Sequence, residues 1–452
     1  MKRLKGKDSL IVSVMLFGMF FGAGNLIFPG LMGQQAGRSI WPALIGFLIT
    51  GAGLPLLSVA ALGAARSEKL QDLGDKVGRK YSIFFTCALY LTIGPFFAIP
   101  RCAATSFSTG ASLFAGLDPT WMLALFSAVF FVIVLILSMR PGKILLWVGK
   151  VLTPVFLVFL AAMVIVALVN SGVSAGSVAP VAPYDEGPFF RGFLEGYNTM
   201  DVLAGLAFGI VVVDVIRKEG VTDPKAVAGT TIKAGILSCV IMAVIYAGVT
   251  FAGLQSLAYT GGPSADGAAT LSAIAGHYFG IAGQAFLTVT VTLACLKTAI
   301  GLVTSCAESF EKMFPRGPKY RLWVVIFVVV AFLVANLGLS AIVTYAVPVL
   351  MFLYPLAIVL VLLSLFGRLF GYDRHVFRWV TVLTLLAALF DLMNTLPEAV
   401  QTALRLDVPI GFAQKFLPLF DLGMGWIVPA AVGLVIGLIL HFVRPHTQME
   451  KL

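Results

Sequence analysis

The chain has 452 residues, 59% hydrophobic and 12% charged, with a formal net charge of +10 and a mean hydropathy of +0.99. A soluble domain carries about 45–50% apolar and about 25% charged residues, so a single core inside a water-soluble shell is excluded. Nucleic-acid binding is excluded as well: the basic residues sit in short loops between long apolar runs, where they report membrane topology.

A membrane span needs roughly 20 mainly apolar residues. Taken in chain order, the candidate spans are 10–33, 40–64, 81–114, 121–139, 144–169, 192–216, 228–255, 281–305, 322–338, 341–366, 376–394 and 423–443. The reading is an all-α polytopic membrane protein of twelve transmembrane helices. The first span follows Lys2, Arg3, Lys5 and Lys7. It exceeds a signal-peptide core and lacks a small-residue cleavage site, so it is expected to be retained. The third span is longer than a bilayer is thick and is expected to tilt or protrude. Residues 268–280 end at Gly280 and read as a short helix outside the membrane.

Basic residues test this division. Only Arg38, Arg191, Arg405 and Lys415 fall in loops on the far side, and Arg101 and Lys297 fall deep within spans; the rest lie at the termini, in loops on the N-terminal side or at the span ends next to them. This asymmetry places both termini in the cytoplasm. The longest outer segments are 170–191 and 395–422, and the first, rich in Gly, Ser and Pro, reads as a linker. The divisions are 1–169 (spans one to five), the linker 170–191, 192–366 (spans six to ten) and 367–452. An odd number of spans in each half would invert the second against the first, a transporter architecture with its site at the midplane. Cys87, Cys102, Cys239, Cys295 and Cys306 lie in or against apolar runs without metal spacing and read as core residues.

Two spans carry a flaw at matching depth. Span one contains Gly22-Ala23-Gly24-Asn25, with Pro29 after it. Span six contains "YNTMDVLAGLAFG", a break expected near 200–205, with Asp201 near its centre and Gly205 and Gly209 beyond. Glycine costs about 1 kcal/mol against alanine within a helix, and backbone groups freed in lipid cost several kcal/mol each. A break therefore persists where something else binds those groups. A zwitterion suits both poles: its carboxylate fits N–H groups at a half-helix start, its ammonium fits free carbonyls. The alternative for Gly18-x-x-x-Gly22 is a helix-packing surface.

The motifs "FGAGNLIFPGLMGQQAG", "IGPFFAIPR", "EGYNTMDVLAGLAFG" and "TAIGLVTSCAESF" resemble the bacterial branched-chain amino acid:cation symporter family of the amino acid–polyamine–cation superfamily, over residues 8 to 440. The resemblance implies a LeuT-type 5+5 inverted repeat plus two extra helices. It implies uptake of leucine, isoleucine and valine across the bacterial cytoplasmic membrane, driven by sodium or protons, with no cofactor besides that ion. Through the shared G-x-G-N it places the substrate carboxylate at Ala23 and Gly24, with Asn25 alongside. Carbonyls near Val202, Leu203 and Gly205 are implied for the ammonium.

Ionisable groups at membrane depth are functional by default. Asp201 has three roles open to it: holding the ammonium, binding a cation or carrying a proton. Arg101, after Pro95 and Pro100, is a candidate outer gate or carboxylate attractor, with a structural partner role as the alternative. No histidine lies at the midplane.

Lys297 lies in "LACLKTAIGLVTS" near the middle of span eight. In LeuT-type sodium symporters this level supplies a carbonyl and two hydroxyls to a sodium ion, completed by two carbonyls of helix 1. The resemblance maps these onto Ala294, Lys297 and Thr298, with Gly18 and Phe21. A hydroxyl residue is usual where this chain has Lys297. An ammonium is a monovalent cation with three donors, so Lys297 in that cage would replace sodium and leave transport proton-coupled or uncoupled. The alternatives are a lysine that snorkels to the interface with sodium retained, or a carrier of another small neutral amino acid.

A membrane enzyme would need clustered catalytic groups, and the sequence has no P-loop, nucleophile elbow or metal-spaced pair. A channel would show charge rings or a repeated filter. Neither a nucleic acid nor an obligate protein partner is indicated.

Overall fold

The structure, a computed structural model, describes residues 6–443 apart from 23, 66, 68, 115–117, 140–143, 171 and 222. The described residues are helical throughout their long segments. The first span is split into α1 (Gly6–Phe20) and α2 (Gly24–Ala36). A short turn leads into α3 (Ile40–Leu48) and α4 (Leu54–Ala64), joined by a widened π turn at Ile49–Gly53. A short helix α5 (Leu70–Asp75) lies between the second and third spans.

The third span is not one tilted helix. It consists of α6 (Arg79–Leu91) and α7 (Ala98–Gly110), interrupted at Thr92–Phe96. Pro95 has no N–H and crowds the carbonyl four residues back, and Gly94 leaves the helical region at φ −96° and ψ −124°. Next come α8 (Pro119–Met139) and α9 (Ile144–Val169).

The linker is pinned rather than free. The Gln255 amide both donates to and accepts from the Val173 backbone, and the Val181 N–H donates to the Gln35 carbonyl at 2.8 Å. The sixth span is α10 (Pro188–Glu195), a 3-10 turn at Gly196–Thr199, α11 (Asp201–Phe208) and α12 (Ile210–Lys218). The two long helices α13 (Pro224–Thr260) and α14 (Gly267–Met313) follow, the latter broken at Gly280 (φ 62°, ψ −159°). Only glycine adopts that conformation readily, and it sets the short 267–279 segment off from the span. Then come α15 (Tyr320–Ala335), α16 (Leu339–Phe366) and α17 (Arg374–Thr395). The outer segment 395–422 holds α18 (Glu398–Leu404) and α19 (Asp407–Phe416), before α20 (Ile427–Val443).

Seven helical runs among the described residues are long and apolar enough to cross a membrane, and three shorter apolar helices accompany them. One run, Gly24–Ala64, covers two expected spans because the bend at Gly37–Ser39 keeps the chain helical. Large apolar side chains cover the outside: Val132, Ile136, Val158, Ile165, Val244, Leu333 and Ile439 are all exposed. That surface suits hydrocarbon, where backbone polar groups must pair internally as these helices do.

Around the midplane, α2 packs on α13, α7 on α14, and α4 on α11 and α13. Small residues allow the first of these contacts. A Cβ added to Gly33 would lie 1.8 Å from the Thr250 carbonyl, and one on Gly253 would lie 2.0 Å from the Gly30 carbonyl. Backbone meets backbone there, as in membrane helix pairs built on small residues.

Two outcomes follow from this packing. Gly33→Ala is expected to cost about 1–3 kcal/mol and lower the thermal midpoint of the detergent-purified protein. Gly229→Ala, with no neighbour within 4 Å of its added Cβ, is expected to be neutral or stabilising; equal midpoints for the two would refute the contact's role. The second concerns Lys76 in the α5 loop. It is 8% exposed, and its ammonium lies 4.0 Å from the centre of the Tyr372 ring. Burial lowers its pKa to about 8, with Asp72 opposing. The unfolded chain then binds the proton more tightly, so stability from this group rises with pH from about 8 towards 10.5. Lys76→Met is expected to flatten that rise in the midpoint-against-pH curve; an unchanged slope would exclude Lys76 as its source.

Candidate functional site

The breaks in the first and sixth spans meet at one cavity of about 330 Å³. In the first span, the Gly22 N–H donates to Asn25 Oδ1 at 2.9 Å and the Asn25 N–H donates to the Gly22 carbonyl at 3.2 Å. Those two donors are thereby withdrawn from the Gly18 and Phe21 carbonyls that a continuous helix would give them. Gly18 and Phe21 both line the cavity. Ala23 lies outside the described residues, so its expected contact with a carboxylate has no structural account.

In the sixth span the break falls at Thr199–Met200. Met200 adopts φ 63°, a conformation rare for non-glycine residues, and α11 begins at Asp201. The expectation of free carbonyls at Val202, Leu203 and Gly205 is corrected. These residues lie inside α11 and off the cavity wall. The Gly205 carbonyl accepts from the Gly209 N–H at 2.9 Å. Gly205 serves close packing instead, since a Cβ there would lie 1.9 Å from Ser58 Oγ. The unwound residues are Asn198 to Met200, and of α11 it is Asp201, Ala204 and Phe208 that face the cavity.

Asp201 is 3% exposed. Asn25 Nδ2 donates to Asp201 Oδ2 and to the Tyr246 hydroxyl, each at 2.5 Å. Tyr246 Oη in turn donates to the Gly51 carbonyl at 3.3 Å. The Asn25 amide is thus committed to holding the first, sixth and seventh spans together. The Asp201 N–H donates to Thr199 Oγ1 at 3.3 Å.

Arg101 forms the opposite pole. It lies in the first turn of α7, where the helix dipole is positive, and is 6% exposed. Arg101 Nη1 donates to the Asn198 carbonyl at 2.5 Å, the guanidinium lies 5.3 Å from the Phe28 ring centre, and Nη2 lies 2.8 Å from where a Gly24 Cβ would stand. It forms no ion pair with Asp201; the three ion pairs among the described residues lie elsewhere. Arg101 thereby joins both breaks on the side away from the N-terminal face.

The fourth wall is α14. Val291, Ala294, Cys295, Lys297, Thr298, Gly301, Leu302 and Ser305 run along it towards the N-terminal face. The five residues mapped to a cation site, Gly18, Phe21, Ala294, Lys297 and Thr298, therefore share one cavity. Thr298 Oγ1 donates to the Ala294 carbonyl at 3.0 Å. Lys297 is half-buried and no carboxylate among the described residues pairs with it. Apolar surface comes from Phe20, Ile93, Phe156, Met200 and Phe208. No cluster among the described residues could hold a metal through His, Cys, Asp and Glu.

Sequence reasoning missed Tyr246, Thr199 and the Asn198 carbonyl. A tyrosine within the apolar run "VIMAVIYAGV" was the available signal for the first. The other two depend on where the chain unwinds, which Met200 conceals.

An all-helical bundle with two interrupted helices meeting at one cavity is the fold of LeuT-type membrane proteins, and the structural comparisons agree. The fold matches the inward-facing conformation of Mhp1 with a TM-score of 0.64 at 15% identity, covering 98% of this chain and 95% of that one. It matches MhsT in complex with L-phenylalanine with a TM-score of 0.56 at 16% identity, covering 98% and 99%. The profile of the family described as "Branched-chain amino acid transport protein" matches residues 5–444. The branched-chain amino acid permease BrnQ of Lactobacillus delbrueckii subsp. lactis is 48% identical over 95% of this chain and 96% of that protein. The branched-chain amino acid permease BraB of Bacillus subtilis (strain 168) is 39% identical over 99% and 98%. The chain belongs to the branched-chain amino acid transport protein family; it is a transporter, not an enzyme.

Asn25→Ala removes the amide donor of a buried carboxylate and is expected to cost about 1–3 kcal/mol. Tyr246→Phe removes a hydroxyl that Asn25 shares and is expected to cost about 0.5–1.5 kcal/mol. Thermal unfolding of the purified variants checks the order; a Tyr246→Phe loss exceeding that of Asn25→Ala would show that Asn25 is not the centre of this network.

Proposed function

We propose that the protein imports leucine, isoleucine and valine across the bacterial cytoplasmic membrane by alternating access, driven by a proton gradient or independent of sodium. The observation that carries this reading is a dipolar cavity, acidic at Asp201 and basic at Arg101 and the α2 and α7 starts. Such poles match the ammonium and carboxylate of one amino acid. The apolar wall suits an aliphatic side chain. A volume near the lower end of the usual ligand range suits a small substrate.

In this reading the substrate ammonium sits at Asp201 and the unwound backbone before it. The carboxylate sits at the Gly24 start of α2 within reach of Arg101. Arg101, bonded to the Asn198 carbonyl, closes the far side, while the cavity extends along α14 to Ser305. That cavity is the route to the cytoplasm when both termini are cytoplasmic. Twelve crossings, with spans one to five and six to ten as inverted repeats and two further helices, place the two breaks at equivalent positions.

Lys297 on α14 lines the same cavity as Gly18 and Phe21 of the first span, whose carbonyls have lost their helical donors. Closing α1 against α14 would bring it into them as a resident cation. The second reading keeps sodium: those two carbonyls and the Ala294–Thr298 pair form an oxygen set that sodium could use if Lys297 extends towards the interface. A third substrate class, another small neutral amino acid, is separated by competition of all twenty amino acids against labelled isoleucine.

Replacing sodium by choline is expected to leave labelled leucine uptake within about twofold, less than 1 kcal/mol on the tenfold-per-1.4 scale. Strict sodium dependence would sink the lysine-for-sodium reading. Lys297→Thr is expected to make uptake sodium-stimulated.

A further inference from the structure

The outer segment 395–422 takes no part in the site just described, and its helix α19 (Asp407–Phe416) has three faces rather than two. At about 100° per residue, Leu406, Ile410, Ala413 and Leu417 fall on one side. Ile410 and Ala413 are buried, and Phe390 and Met393 of α17 pack on them. Asp407, Gly411, Gln414 and Lys415 make a second side, which is exposed. Val408, Phe412 and Phe416 make the third, at i, i+4 and i+8. They are apolar and more than half exposed. Pro409 falls in the first turn, where a helix leaves its N–H groups unpaired and tolerates proline.

The seat of α19 fixes its depth. On α17, Trp379, Val382 and Leu386 form a stripe of exposed apolar side chains at i, i+3 and i+7, the kind of surface a transmembrane helix turns to lipid. Phe390 and Met393 continue that stripe, and there α19 takes the place of lipid. The 22 residues of α17 span about 33 Å at about 1.5 Å per residue, against a hydrocarbon core of about 30 Å. Phe390 stands five residues before Thr395, about 7.5 Å below the end of the helix. α19 therefore rests beside the last turns of the span, where acyl chains meet headgroups, and not in the water beyond it.

Contacts along the third face agree with that level. The Phe412 ring centre lies 6.1 Å from that of Phe390 and 4.7 Å from that of Phe416, so the apolar surface of α17 continues onto α19. Lys415 Nζ lies 5.6 Å from the centre of the Phe416 ring. Its ammonium thus stands at the edge of the stripe, as a lysine does at a headgroup boundary. The stripe is too small for a protein partner: three side chains of this exposure present roughly 350 Å², less than half of the about 800 Å² per partner in a stable interface. Beyond α19 the chain returns to the sixth span. A Cβ on Gly423 would lie 2.7 Å from Leu194 Cδ1, and one on Gly187 would lie 2.9 Å from Leu422 Cδ2. The turn after α19 therefore rests directly on α10.

We propose that α19 is a lipid anchor. It lies in the leaflet away from the N-terminal face, with Val408, Phe412 and Phe416 among the upper acyl chains and Asp407, Gln414 and Lys415 towards the headgroups. The anchored helix holds the turn at 420–423 against α10, the outer part of the sixth span. The anchor is independent of the substrate and of the coupling ion. Water, or a second copy of this chain, against the stripe are the alternatives.

The test uses the full chain in lipid nanodiscs, whose two faces are both open to water. One set is made with phosphatidylcholine brominated near the headgroup end of its acyl chains. The other is made with plain phosphatidylcholine and takes acrylamide in the water. Fluorescence lost by Phe412→Trp beyond that of the wild type, whose six tryptophans set the baseline, reports the added indole. Brominated lipid is expected to quench it at least about twofold more than acrylamide does, because an interfacial helix buries its apolar face about 5–10 Å deep. Gln414→Trp, on the polar face, is expected to reverse that order. Phe416→Trp is expected to repeat the first result, and carries the decision should Phe412→Trp fail to fold. Acrylamide quenching as strong in Phe412→Trp as in Gln414→Trp would overturn the anchor and place the stripe in water. Quenching by neither agent would also overturn it, and would assign the stripe to a second copy of the chain.

Discussion

A carboxylate buried where two helices are interrupted must find its donors in the protein, because the bilayer supplies none. Asp201 finds them in the Asn25 amide, which at the same time donates to Tyr246 and accepts from the Gly22 N–H. This one side chain ties the first, sixth and seventh spans at their middles. It also explains why the first break is stable: the Asn25 carbonyl takes an N–H that the unwound turn would leave unpaired. Remove the interruption and Asn25 no longer reaches Asp201. Remove the carboxylate and the amide loses its charged partner.

The polarity of the cavity grows from that arrangement. Each half-helix that starts at the midplane turns its positive end inward. α2 and α7 do so beside Arg101, whereas α11 does so under Asp201, its own first residue. Arg101 bonds to the Asn198 carbonyl and so fixes the unwound turn of the sixth span to the third. An acidic and a basic pole then face each other without meeting as an ion pair. Each keeps capacity for a ligand that carries both signs.

The helices beyond the two halves attach through close backbone contact. Gly433 and Gly437 of α20 sit against the Trp379–Val380 and Val376 backbone of α17. At the outer end of that pair, Asp391, Trp426 and Tyr197 cluster with several polar atoms unpaired.

The sequence by itself determined the membrane class, the apolar runs that become helices and the break at Gly22–Asn25. Apolar run length, loop charge and clustered glycine are local properties that no tertiary contact needs to reveal. The motif resemblance carried the family to the level that the comparisons bear out. Tertiary structure alone decided where the sixth span unwinds. Met200 has no intrinsic liking for positive φ, and it stands between two close approaches, of Gly196 to Thr50 and of Gly205 to Ser58. For the same reason Val202, Leu203 and Gly205, which read as an open turn, are helix: a glycine marks a break or a close approach, and only the neighbour tells which. The partner of Arg101 and the role of the Asn25 amide were likewise invisible, because each depends on residues about one hundred or more positions away brought together by folding.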